Sequence, residues 1–198
     1  MKMKWLKILV FIACLLPLAL LLIDLVGNNL GVNPIETLTR NTGLWALRLL
    51  LITLTVSPIC LLCHFPKLAG LRRMLGLYSF FYASIHFLLY VWLDQFFVVN
   101  DIINDVIKRP FIAVGFSAYI GLVLLAITSN KWSVVKLGTF AWKRLHKVVY
   151  LIAIACVIHF YMLVKFDTRE PLIYASILTL LLGFRLLRYL RWKVGGQT

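Results

Sequence analysis

Four histidines are spread along a chain of 198 residues, and two of them, His86 and His159, fall inside long apolar runs. An ionisable ring in such surroundings needs a partner, because almost nothing nearby can satisfy its nitrogens. Each follows the basic start of its run by about 12 residues, His86 after Met74 and His159 after Lys147. At about 1.5 Å of helical rise per residue, both rings then lie roughly 18 Å from the same face. Two imidazoles at one depth on two helices are what bis-histidine haem ligation requires. Small residues precede both, Ser79 and Ala83 before His86, Ala155 and Cys156 before His159, leaving room for a flat macrocycle. The plainer reading of either ring alone is a hydrogen-bonded packing residue or a proton relay.

The other two histidines are less telling. His146 precedes His159 on the same run at a separation of about 20 Å of rise, suited to a second haem nearer the basic end. It also lies about 140° round the helix, so only a tilt or an irregularity would align the two. His64 follows Cys60 and Cys63 at the end of an apolar run, as a possible second-haem ligand or a loop residue. That C-x-x-C sits on an apolar helix end, where a metal site is not expected. Arg48, some residues into another run, reads as a side chain snorkelling to the interface or as a partner for a haem propionate.

The elements that must carry these residues are membrane spans. Hydrophobic residues make up 62% of the chain and charged ones 14%, too little polar surface to cover a soluble core. Hydropathy places spans at 5–26, 44–63, 75–92, 111–128, 148–164 and 172–187, predicting an all-α bundle of six transmembrane helices as a single domain, 1–198. The first run exceeds a signal-peptide core, and no A-x-A site follows it, so it is expected to stay as a helix. Asn33-Pro34, Arg109-Pro110 and Glu170-Pro171 punctuate the runs.

Charge gives direction. The basic residues Lys2, Lys4, Lys7, Lys67, Arg72, Arg73, Lys131, Lys136, Lys143, Arg144, Lys147, Arg185, Arg188, Arg191 and Lys193 cluster at one set of span ends with no acid among them. All 7 acids lie at the opposite ends. The positive-inside rule then puts both termini in the cytoplasm. The net charge of +14 thus reflects topology and contact with anionic membrane lipid, and a nucleic-acid partner is not expected. The 4 cysteines fall in or beside apolar runs, which argues against a disulfide framework.

The order of several short motifs carries a resemblance. Arg72-Arg73-x-Leu75-Gly76-Leu77 leads to His86, and Arg109-Pro110-Phe111 precedes the fourth span. Ala126-Ile127-Thr128-Ser129, Trp142-x-x-Leu145-His146, Tyr150-Leu151, His159 and Pro171-Leu172-Ile173-Tyr174-Ala175 follow in turn. The pattern resembles the ferric-reductase-like transmembrane family, and in it the small bacterial inner-membrane subunits that serve a periplasmic molybdenum-containing methionine sulfoxide reductase. The resemblance implies haem b, one or two per chain, with His86, His159 and His146 as ligands. It also associates the chain with FMN, for which no residue pattern is found. Larger family members carry a flavin and nicotinamide domain that this sequence lacks, so the donor is expected to be the quinone pool or a cytosolic flavin reductase. The chain is then an electron-transfer subunit, not the catalytic one, and supports protein repair. The outer stretches 26–40 and 94–109 are the expected docking surface, the latter carrying an amphipathic segment. Trp132 and Trp142, among the lysines of a basic loop, are candidates for receiving a quinone or flavin. The alternatives are a cytochrome b of another respiratory oxidoreductase or ferric reductase, or a non-haem transporter or assembly factor. Gly115 and Gly121 are the only candidates for a broken helix that would favour a transporter.

Overall fold

Pro34 starts the central helix ten residues before the hydropathy signal does. Asn33 caps it by accepting from the Glu36 amide at 3.3 Å, while Pro34 needs no donor at the first position. Polar Glu36, Asn41 and Thr42 disguise this first stretch as loop, so the outer loop expected at 26–40 is helical from Pro34 onward.

The computed structural model describes residues 2–164 and 166–195. Its helices are α1 (Lys2–Val26), α2 (Pro34–Leu62), α3 (Arg72–Leu89), α4 (Val99–Lys108), α5 (Pro110–Ile127), α6 (Lys131–Leu137), α7 (Thr139–His146), α8 (Val149–Leu163) and α9 (Arg169–Gly195). A 3₁₀ turn (Pro66–Leu71) leads into α3 and a π turn (Tyr90–Asp94) ends it. Six segments of the described residues are long and apolar enough to cross a membrane: Met3–Val26, Pro34–Leu62, Pro66–Asp94, Pro110–Ile127, Thr139–Leu163 and Arg169–Arg191. The six expected spans are therefore present, several of them longer than hydropathy drew them.

The helix α2 is the axis of the bundle. Leu47, Leu49, Leu50, Leu51 and Leu54 are all buried on it, with α3, α8 and α9 packed around. The helix α5 pairs with α8 and touches α3, closing the ring. Trp5, Leu9, Ile12, Leu151 and Leu180 face outward, the arrangement expected where lipid is the solvent.

Lipid is as apolar as leucine, so close packing and interhelical hydrogen bonds hold the helices together. The Ser79 hydroxyl, fully buried, donates to the Ala46 carbonyl at 2.8 Å and ties α3 to α2. Tyr82 holds α1 by insertion: its hydroxyl donates to the Cys14 carbonyl at 2.8 Å and accepts from the Leu18 amide at 3.1 Å. Those two groups would otherwise pair within α1. Pro58 in α2 has no amide to offer the Leu54 carbonyl, and Arg185 of α9 donates to that carbonyl instead.

Candidate functional site

A cavity of about 530 Å³ opens among α2, α3, α5 and α8, and His86 and His159 both line it. Their ring centroids are 6.3 Å apart with planes at 79°. The depth match read from the sequence thus brings the two rings edge to face on the wall of one cavity.

Each ring is oriented by a backbone carbonyl. His86 Nδ1 lies 2.8 Å from the Thr39 oxygen and His159 Nδ1 lies 2.7 Å from the Phe111 oxygen. A carbonyl only accepts, so Nδ1 carries the proton in both rings and Nε2 keeps its lone pair. This is the outer-shell contact that fixes ligand histidines and raises their basicity.

Two glycines make the approach possible. A Cβ at Gly43 would sit 2.9 Å from His86 Nδ1, and one at Gly115 would sit 2.7 Å from His159 Nδ1. The role of Gly43 escaped the sequence reading. Gly115 and Gly121 drew notice there as possible helix breaks, yet α5 runs unbroken through both. At Gly121 the missing Cβ makes room for Ile152, 2.8 Å away.

Ser79, Ala83 and Cys156 line the cavity as small neighbours, and Leu47, Leu50 and Leu122 give it an apolar floor. At the acidic end of the bundle the lining turns polar with Arg40, Tyr90, Asp94, Gln95 and Arg109. The helix α4 closes over this rim: Asp105 accepts from Gln95 at 2.9 Å and from Tyr90 at 3.3 Å, and pairs with Arg109 at 3.3 Å. It keeps Ile103, Ile107 and Val99 exposed, so the expected amphipathic segment is a helix with an apolar face turned outward.

The remaining sequence-derived residues lie elsewhere. Arg48 is turned away from the cavity. Its Nε donates to the Tyr174 hydroxyl at 2.8 Å, its guanidinium covers Trp45 at 5.0 Å, and Glu170 is 3.8 Å away. The arginines on the cavity wall are Arg40 and Arg109. His146 closes α7 just before the break at Lys147–Val148 that separates it from α8 and His159. It stacks on Trp142 at 4.0 Å, and its Nε2 lies 3.1 Å from the Thr128 hydroxyl. Trp142 donates to the Thr128 carbonyl at 2.8 Å. His64 sits at φ +52° in the turn after α2. Cys60-Leu61-Leu62-Cys63-His64 also spells C-x-x-C-H, the attachment pattern of c-type haem, but it lies at the basic end, far along α2 from Gly43.

Among the described residues, no group of three or more histidine, cysteine or acidic side chains could hold a metal ion. Two imidazoles alone leave a metal short of ligands, whereas an iron porphyrin brings four of its own. The spacing fits such a group. A metal–imidazole bond of about 2 Å plus about 1 Å to each ring centre puts the centroids about 6 Å apart.

The family profile described as "Ferric reductase like transmembrane component" matches residues 42–157, a stretch that includes His86, His146 and most of the cavity wall and ends two residues before His159. The chain belongs to the ferric reductase-like transmembrane family. It is 45% identical to the protein-methionine-sulfoxide reductase heme-binding subunit MsrQ of Herminiimonas arsenicoxydans, over 93% of this chain and 85% of the relative. The MsrQ of Rhodospirillum rubrum is 45% identical over 96% of this chain and 92% of its own. That of Caulobacter vibrioides is 43% identical over 89% and 84%. No solved structure matches significantly. Six apolar spans and this membership make the protein a multi-pass protein of the bacterial inner membrane.

Proposed function

We propose that the chain is the haem-binding, electron-transferring membrane subunit of a methionine sulfoxide reductase system, with haem b held between His86 and His159. The observation that carries this reading is the pair itself: two imidazoles 6.3 Å apart, each with Nδ1 on a carbonyl and Nε2 free, on the wall of one cavity. The relatives' printed name, a heme-binding subunit of protein-methionine-sulfoxide reductase, supports it. The bound iron supplies one-electron chemistry. The protein would hold it through the Nε2 atoms of His86 and His159, in a largely apolar slot with a polar rim near the acidic end.

In this reading the basic ends and both termini face the cytoplasm, where a quinone or a flavin reductase delivers electrons. The acidic ends face the periplasm, where a molybdenum-containing sulfoxide reductase docks on the loop 27–33 and on α4. In the same reading His146, stacked on Trp142 at the basic end, serves a second haem or the donor; the stacking at 4.0 Å is the observation that supports it. FMN rests on the family resemblance, with no site among these residues.

The test is reconstitution. Membranes containing the chain, given quinol or a flavin reductase, should drive methionine sulfoxide reduction by the purified periplasmic enzyme, and membranes with His86→Ala should not. Equal rates with and without the chain would end the proposal.

A further inference from the structure

Many serine and threonine hydroxyls in this bundle are satisfied by their own helix. Thr42, Thr53, Ser84, Ser117, Thr128 and Thr179 each donate to a carbonyl four residues back at 2.7–2.9 Å. Thr39 does not. Its Oγ1 is a buried side-chain oxygen with no hydrogen-bond partner, the one such atom among the described residues. An unpaired buried hydroxyl is costly and needs an explanation.

Thr39 lines the histidine cavity, and so does Arg40 beside it. The Thr39 carbonyl already orients His86. Arg40 reaches the other way, to Glu170 Oε2 at 2.8 Å, in a largely exposed pair. Arg109, across the rim, is held by Asp105, and Asp94 adds a second negative charge there. The cavity is therefore apolar at its floor, while Thr39, whose buried hydroxyl is an unused donor, and Arg40 stand on its polar wall.

We infer that Thr39 and Arg40 hold a propionate of the haem, with Thr39 acting twice, its carbonyl on the axial histidine and its hydroxyl on the carboxylate. This rests on the haem reading above and adds the cofactor's orientation: propionates toward the acidic end, apolar edge toward Leu50 and Leu122. Arg40 then has two competing anions, the propionate and Glu170. A cation near the carboxylate favours the reduced haem, which carries one more negative charge.

The experiment uses the full chain in detergent, loaded with haem, and compares Thr39→Val, Arg40→Gln and Glu170→Gln by three readouts. These are haem transfer to apomyoglobin, the midpoint potential by optical titration, and the thermal midpoint of the haem-free protein. Thr39→Val is expected to release haem roughly tenfold faster, about the loss of one charge-assisted hydrogen bond. The same variant should leave the haem-free protein as stable or more stable, because the orphan hydroxyl is gone. Arg40→Gln should lower the midpoint potential and Glu170→Gln should raise it. A purely structural ion pair predicts the opposite pattern, with both substitutions shifting every readout the same way. Native release rates and potentials in both Thr39→Val and Arg40→Gln would overturn the inference while leaving the haem reading standing. A wild-type protein that takes up no haem would overturn both.

Discussion

Gly115 on α5 faces His159 on α8 so closely that a side chain on the glycine and the observed ring cannot coexist, with 2.7 Å between an ideal Cβ and Nδ1. Gly43 stands in the same relation to His86 at 2.9 Å. Both neighbours are rigid rings already tied to carbonyls, so neither can move without losing its hydrogen bond. Gly115→Ala should therefore cut haem content several-fold, with the helical circular dichroism of the native protein retained. Full haem loading in both Gly115→Ala and Gly43→Ala would show that the rings need not sit where they do.

Arg185 is a positively charged side chain used as a backbone donor. Replacing it with methionine keeps much of its bulk and leaves the Leu54 carbonyl without the donor that Pro58 cannot provide. The cost expected is about 1–3 kcal/mol, that of an unsatisfied buried polar group. It would be read as a lower thermal midpoint in detergent. Changing Pro58 to alanine as well should recover part of it, since the helix regains its own amide.

Tyr82→Phe should loosen α1. The variant loses the hydroxyl that bridges Cys14 and Leu18, and α1 has few other polar ties to the bundle. Double-mutant studies of such bonds in membrane proteins give about 0.6 kcal/mol on average. Global stability should thus change little, while amide exchange at Leu18 changes clearly.

The C-x-x-C-H at Cys60–His64 offers a competing covalent attachment point, and the proposed site makes a clear forecast against it. Acid–acetone should extract all the haem, and Cys60→Ala with Cys63→Ala should leave the spectrum unchanged. Haem remaining with the polypeptide would move the centre to the other end of α2.

The spans, the basic and acidic ends and the two cavity histidines were legible in the sequence because each depends on a periodicity or a depth that one-dimensional spacing preserves. The start of α2 was not, since polar Glu36 and Asn41 on a capped helix look like loop to a hydropathy window. Arg48 drew attention as an arginine in an apolar run, but its direction round α2 is set by Tyr174 and Glu170, more than 120 residues away. Thr39 and Gly43 were invisible for a related reason. Their importance lies in what another helix brings to them, and neither residue type is unusual in a membrane span.

The most direct test of the account is the dithionite-reduced minus oxidised visible spectrum of the detergent-purified protein, recorded beside His86→Ala and His159→Ala. The account predicts a b-type α band in the native protein that is lost or strongly reduced in both variants. A native protein without haem absorbance after expression with ample haem, or a band unchanged in both variants, would contradict it.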